Sequence, residues 1–212
     1  GKVYTGWVDE KYKDGNILKE FFVDDGTVIY IATYYENGQL KDEQYRRNKN
    51  INGPALGYYK DGSLRYAGYE LDGEDWLPYV YYHENGQIKS ETLYWQGKEA
   101  GFFNEFFESG KISKQYKFAK SPDRGGELLS MVLCRESGFK FTEAEVENGE
   151  IVDQLMYDEK GVLELDSRGV EKKWFYIDAG LNSYLKVWRP VNEQDAIDNA
   201  KKTLAKKGLN KN

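Results

Sequence analysis

His83 and Cys134 are the one histidine and the one cysteine of this 212-residue chain, and they bound the acid–base and nucleophilic chemistry it could support. An imidazole-based triad could use only His83. That residue occupies a repeat position otherwise filled mostly by Tyr and Phe, so it reads as an exposed member of an aromatic column rather than as a general base. Cys134 follows Val132 and Leu133 at an apolar position, which reads as a buried structural thiol rather than a nucleophile. A single cysteine also forbids an intrachain disulfide. Zinc needs several Cys or His ligands, which the composition does not supply. The acidic turns Asp72-Gly73-Glu74-Asp75 and Asp24-Asp25-Gly26 could offer carboxylates to calcium, but neither has EF-hand spacing, and both read as solvated turns. Gly125-Gly126 lacks the Lys context of a phosphate-cradling loop. The 36 acidic residues permit many carboxylate pairs of the kind used in sugar hydrolysis, yet they recur at turn and strand-surface positions where solubility explains them. The chain is therefore read as non-enzymatic, with no catalytic residue, cofactor or metal expected.

The elements that would position any functional residue announce themselves by repetition. Tyr34-Tyr35-Glu36-Asn37-Gly38-Gln39-Leu40-Lys41 returns as Tyr82-His83-Glu84-Asn85-Gly86-Gln87-Ile88-Lys89, with Tyr58-Tyr59-Lys60-Asp61-Gly62-Ser63-Leu64-Arg65 between them. With two outlying copies, the turn glycines fall at 15, 38, 62, 86 and 110, at intervals of 23, 24, 24 and 24. Asn-Gly or Asp-Gly between aromatic and apolar runs is a strong hairpin signal. Second-turn glycines follow 11 residues later at Gly26, Gly73, Gly97 and Gly149, and a third column lies at Gly6, Gly53 and Gly101.

The faces follow from strand alternation. Two residues after the central glycine stand Ile17, Leu40, Leu64, Ile88, Ile112 and Leu163, while four before it stand Tyr34, Tyr58, Tyr82, Phe106 and Tyr157, and six before it Ala32, Leu56, Val80 and Leu155. Same-parity positions share a face, so the last two columns predict one apolar stripe. A three-residue turn with a glycine bulge places the aromatics four before the glycine opposite the Ile/Leu column, and a strict two-residue turn would instead place there the column three before it. The first is the expectation. That neighbouring column, Tyr12, Tyr35, Tyr59, His83 and Phe107, tolerates Asp158 and is expected on the wetter face.

Units of about 24 residues cannot bury a hydrophobic face alone and must stack on their neighbours. The expected fold is mainly all-β, an elongated, twisted antiparallel sheet of tandem β-hairpin repeats with open edges and a short C-terminal helix. Regular repeats are read over 1–120. After a loop at 121–126, degraded repeats continue the sheet to 191, with an insertion between Gly110 and Gly138 and final strands around Trp174-Phe175-Tyr176 and Tyr184–Trp188. Asn192 and Asp195 could open a capping helix over 192–208, with Ala196, Ile197, Ala200 and Leu204 as a narrow apolar stripe and Gly208 as its stop.

The pattern Gly-x-aromatic, as in Gly101-Phe102, then Tyr34-Tyr35-Glu36-Asn37-Gly38-Gln39-Leu40-Lys41, then Glu43 or Glu91 and Tyr45 or Tyr69, resembles the MORN-repeat variant of bacterial proteins grouped as YwqK-family antitoxins. The resemblance covers 6 to about 118 well and 132–165 weakly. It implies a β-hairpin repeat sheet without cofactor or catalytic centre that works through protein contacts. The antitoxin role belongs to the family.

The function classes narrow accordingly. A net charge of −6, with 30 basic and 36 acidic residues spread along the chain, disfavours nucleic acid and anionic membranes as partners. No apolar run approaches the roughly 20 residues that span a bilayer. The expected activity is protein binding, antitoxin-like or immunity-like, through Tyr35, Tyr45, Tyr59, Tyr69, His83 and Phe107. The alternative is a cell-envelope or carbohydrate binder whose Trp76 and Trp95 stack on sugar rings: flat, coplanar exposed rings would favour glycan, and a patchy apolar face with a polar rim would favour protein. The chain begins at Gly1 without Met, which suggests processing. Export or an envelope location is expected if a signal peptide was removed, and a cytoplasmic one otherwise.

Overall fold

Alternation of aromatic or branched side chains with polar ones, punctuated by glycine, produces strands at every repeat. The structure, a computed structural model, describes residues 3–120, 126–169, 172–180, 183–190 and 193–206. It is mainly β, built of antiparallel hairpin strands with one short C-terminal helix. By packing, the chain divides between Glu99 and Ala100, inside the regular repeats.

The first unit carries β1 (Gly6–Lys11), β2 (Ile17–Asp24), β3 (Thr27–Tyr34), β4 (Leu40–Arg47), β5 (Asn50–Tyr58), β6 (Leu64–Leu71), β7 (Glu74–Tyr82) and β8 (Ile88–Trp95). Each pairs antiparallel with the next in chain order. Two turn types alternate. At the repeat motif, Gly38 N–H donates to Tyr35 O at 2.9 Å and Tyr35 N–H to Gln39 O at 2.8 Å, with Gly38 at φ 83°. This is the three-residue turn with a glycine bulge. It sets Tyr34 opposite Leu40, Tyr58 opposite Leu64 and Tyr82 opposite Ile88, the pairing that the bulged turn predicts. At the other strand ends, Asp25-Gly26, Asn48-Lys49 and Asp72-Gly73 all have positive φ, the two-residue turn whose twist matches the flanking strands.

Repeats are also tied side to side at these turns. Asn37 Oδ1 accepts the Gln39 N–H, while Asn37 Nδ2 donates to Lys60 O at 3.1 Å in the next copy. Asp14, Asp61 and Asn85 make the same local bond to Asn16, Ser63 and Gln87.

The single apolar stripe is only partly realised. Ala32 is buried on it, but Leu56 and Val80 are half-buried, and the deepest burial in β5 and β7 falls one residue earlier, at Ala55 and Tyr79 on the opposite face. The cause is small residues there. A Cβ on Gly57 would lie 2.2 Å from the Tyr66 ring, and one on Gly68 2.1 Å from the Tyr79 ring. The two rings therefore lie flat on the backbone and cover it.

The second unit holds the remainder of β9 (Lys98–Phe106), then β10 (Ile112–Phe118), β11 (Leu128–Cys134), β12 (Lys140–Glu147) and β13 (Glu150–Tyr157), antiparallel in chain order. Its core gathers Phe103, Tyr116, Phe118, Met131, Ala144, Val146 and Ile151. β14 (Leu163–Asp166) pairs with β13. The two final strands, β15 (Lys172–Gly180) and β16 (Ser183–Pro190), form a hairpin. β16 lies parallel to β13 at Glu150 and Lys186, a departure from chain-order meander.

Helix α1 (Glu193–Lys206) docks on β14 with Ala196 and Ala200 buried. Thr203 Oγ1 donates to Asp166 at 2.8 Å and Asn199 Nδ2 to Arg168 O at 3.0 Å. Asp166 is held below the usual carboxylate range chiefly by hydrogen bonds from Arg168. The Asn192 cap and the Gly208 stop lie outside the described residues.

Candidate functional site

The residues expected to form a contact face separate into two groups. Tyr35 and Tyr59 are half-buried, and each hydroxyl donates to a carbonyl one repeat on: Tyr35 to Tyr58 O at 2.9 Å and Tyr59 to Tyr82 O at 2.6 Å. Tyr12 does the same to Tyr34 O, and in the degraded copy Arg135 Nη2 takes the role toward Tyr157 O. These side chains fasten repeats together at the turns. His83 and Phe107 stand in the same column and are half-buried, so His83 is less exposed than its sequence position suggested. Cys134 is also half-buried, not buried, and desolvation pushes its thiol up from the ordinary value.

Tyr45 and Tyr69 belong to a different arrangement. Trp7 lies opposite Phe22, Phe22 opposite Tyr30, and Tyr30 opposite Tyr45. Farther along the same face of the first unit, Tyr69 lies opposite Pro54 and Trp76, and Trp76 packs on Trp95 with ring centroids 4.8 Å apart. Strand alternation carries the face from Tyr45 to Tyr69, because Glu43 pairs with Leu56 and Leu56 with Ala67. The result is an aromatic row crossing successive strands. Its exposed members are Trp7 at 58%, Tyr45 at 43%, Tyr69 at 38% and Trp95 at 43% of full accessibility.

The rings are inclined to one another. Trp7 meets Phe22 at 62° and Tyr30 at 84°, Tyr30 meets Tyr45 at 62°, and Trp76 meets Trp95 at 52°. The contacts of Trp7 and Tyr30 are edge-on, which suits the ring quadrupoles, and Trp76–Trp95 is tilted. Trp7, Phe22, Ile29, Tyr30 and Tyr45 line a shallow, open depression of about 420 Å³.

A carboxylate row runs beside the aromatic one. Asp9 is opposite Glu20, Glu20 opposite Ala32 and Ala32 opposite Glu43. Tyr34 donates to Glu20 at 2.5 Å, while Tyr30 and Tyr58 donate to the two oxygens of Glu43 at 2.9 and 2.8 Å. Burial first, and then these carboxylate bonds, push the Tyr34 and Tyr58 phenols up to about 12 and raise Tyr30 further. Tyr157 and Glu143 repeat the pairing in the second unit.

The opposite face of the first unit carries Tyr66, Tyr79, Tyr81 and Tyr94 in mutual ring contact. Tyr66 and Arg65 both donate to Asp42, at 2.9 and 2.7 Å. Sequence reasoning passed over this cluster, and also Trp7, Phe22 and Tyr30, because it followed the columns nearest the turn glycine. The alternation of Tyr30, Ala32 and Tyr34 was the available signal. Among the described residues, no group of three or more His, Cys, Asp or Glu could hold a metal ion, and no helix is long and apolar enough to cross a membrane.

No family model and no curated protein matches the chain. Among solved structures, it is similar to part of the Photorhabdus luminescens Tc holotoxin pore, with 10% identity over 87% of this chain and 14% of that one and a TM-score of 0.18. It is also similar to part of a TcdB2–TccC3–Cdc42 crystal structure, with 12% identity over 90% of this chain and 12% of that one and the same TM-score of 0.18. The chain thus spans only 14% and 12% of those two chains.

Proposed function

We propose that the chain is a non-enzymatic MORN-like repeat protein that acts as a protein–protein interaction module, of the antitoxin-like or immunity-like kind, through the aromatic row of its first unit. The observation that carries this reading is the exposed set Trp7, Tyr45, Tyr69 and Trp95 on one sheet face beside carboxylates. Tyr and Trp bring large contact area with few rotamers to freeze, which is why they dominate binding hot spots. Inclined rings with a polar margin favour a protein partner over a sugar polymer, which would stack on coplanar rings. Tyr35 and Tyr59, whose hydroxyls tie neighbouring repeats together at the turns, are left out of this contact.

The test is affinity capture with row and turn variants side by side. Tyr45→Ala with Trp95→Ala is expected to lose the partners bound by the unaltered protein, whereas Tyr35→Phe keeps them. Retention of every partner by the row variant would sink the assignment.

A further inference from the structure

We infer that Asn148-Gly149, in the turn between β12 and β13, is a site of spontaneous covalent modification at which the asparagine amide is lost as ammonia and replaced by a carboxylate. The chain holds four Asn-Gly pairs, Asn37-Gly38, Asn52-Gly53, Asn85-Gly86 and Asn148-Gly149, and the fold restrains the first three.

The chemistry needs two groups that are free to meet. The backbone nitrogen of the glycine gives up its proton and attacks the asparagine Cγ, the Cγ–Nδ2 bond breaks, and ammonia leaves behind a five-membered succinimide. Water then opens that ring at either carbonyl, giving aspartate or isoaspartate, so one water is taken up for one ammonia released. Glycine favours the attack because it has no Cβ to crowd the nitrogen. A hydrogen bond from that N–H, or one that fixes the amide, must first be broken.

At three pairs such bonds are present. Gly38 N–H donates to Tyr35 O and Gly86 N–H to His83 O, both at 2.9 Å. Asn37 Oδ1 accepts from Gln39 N–H and Asn85 Oδ1 from Gln87 N–H, and Asn37 Nδ2 donates to Lys60 O. These bonds turn each side chain toward the residue two on, away from the glycine nitrogen. Asn52 Nδ2 donates to Asp72 at 3.0 Å, and Gly53 is buried within β5, opposite Glu70.

Asn148 and Gly149 are both exposed, at φ 52° and 78°. Among the described residues, nothing hydrogen-bonds the Asn148 side chain or the Gly149 N–H. Beyond the chain neighbours, no heavy atom lies within 4 Å of where a Gly149 Cβ would stand. The lost restraint has a structural cause. In the equivalent turns Gly26, Gly73 and Gly97 donate to the carbonyls of Tyr4, Ile51 and Asp75, each 22 residues earlier. The carbonyl 22 residues before Gly149 is that of Glu127, and it accepts from Ala119 N–H at 2.9 Å, where the chain departs from the regular repeat. The turn is thereby released from the hairpin before it. The product sets a new carboxylate between Glu147 and Glu150, and isoaspartate adds a backbone methylene close to the buried pair Val146 and Ile151.

The experiment ages the full chain in mildly alkaline water enriched in heavy oxygen, digests it and follows the four Asn-Gly peptides by mass spectrometry. Asn148 is expected to take up heavy oxygen at least about fivefold faster than Asn37, Asn52 or Asn85, the effect of one or two hydrogen bonds. In denaturing urea, where the pairs keep only their sequence, the rates should converge. Asn148→Gln should abolish the early uptake, because it places the amide one methylene farther from Gly149, and the equivalent turn Gln96-Gly97 already carries glutamine at positive φ. Uptake at any other pair as fast as at Asn148 in the folded chain overturns the inference, and so does an advantage of Asn148 that survives unchanged in urea. The site belongs to the second unit and does not rest on the binding role of the aromatic row.

Discussion

At the scale of single residues, the repeat reveals where side chains sit in positions that suit glycine better. Gly53, Leu77 and Gly101 fall at 24-residue intervals, and all three have positive φ, at 133°, 66° and 80°. Leu77 is thus an L-residue in the left-handed region, where the Cβ crowds the following carbonyl at a cost of about 1–2 kcal/mol. Its side chain is half-exposed and recovers little of that through burial. Leu77→Gly is expected to stabilise the fold by about 1 kcal/mol, after allowing for the chain entropy that glycine adds to the unfolded state. A urea midpoint that falls in the variant would show that Leu77 packing outweighs the strain. This column was legible in the sequence as Gly6, Gly53 and Gly101, and Leu77 was invisible in it because an apolar residue in a strand looks unexceptional.

At the scale of the element, the hairpin is held by hydroxyl bonds that repeat with the sequence. Tyrosines four before the turn glycine donate to glutamates of the preceding copy, as Tyr34 does to Glu20 and Tyr58 to Glu43. Both phenols are pushed up to about 12 by burial and by these carboxylates, from an ordinary value near 10 that the unfolded chain retains. Because the folded state keeps its phenol proton to higher pH than the unfolded one, this stabilisation is fully present below about pH 10 and is lost as pH rises toward about 12. The urea midpoint is therefore expected to fall across that window. Tyr34→Phe with Tyr58→Phe should be less stable at neutral pH and show a shallower alkaline decline. A decline as steep as that of the unaltered protein would assign the alkaline sensitivity to other groups. The bulged turn and its strand register could be read from Asn37-Gly38 and Leu40 alone, since turn chemistry is local. The switch of deepest burial to Ala55 and Tyr79 could not, because it depends on the Tyr66 and Tyr79 rings crossing onto Gly57 and Gly68 of neighbouring strands.

At the scale of the whole molecule, repetition distributes structure evenly but burial unevenly. In the first unit, most strand residues are half-buried on both faces, and β1 is largely exposed. In the second, a contiguous core forms: Ile151 is fully buried, and Val146, Met131, Tyr116 and Phe118 are nearly so. That core takes Phe103, Tyr116 and Phe118 from the last of the regular repeats and Met131, Ala144, Val146 and Ile151 from the degraded ones, so motif regularity does not track burial. A solvated, hairpin-rich sheet depends on turns and cross-strand pairs worth about 0.2–1 kcal/mol each. A packed core draws on apolar area at about 25 cal/mol per Å². Amide exchange should follow burial. Strands β12 and β13 are expected to exchange slowest, by about tenfold or more relative to β2–β4, when followed by mass spectrometry through time. Longer protection in β2–β4 than in β12 and β13 would mean that the stacked turn bonds, such as Asn37 to Lys60 and Tyr35 to Tyr58, stabilise the regular repeats more than the apolar core stabilises the degraded ones.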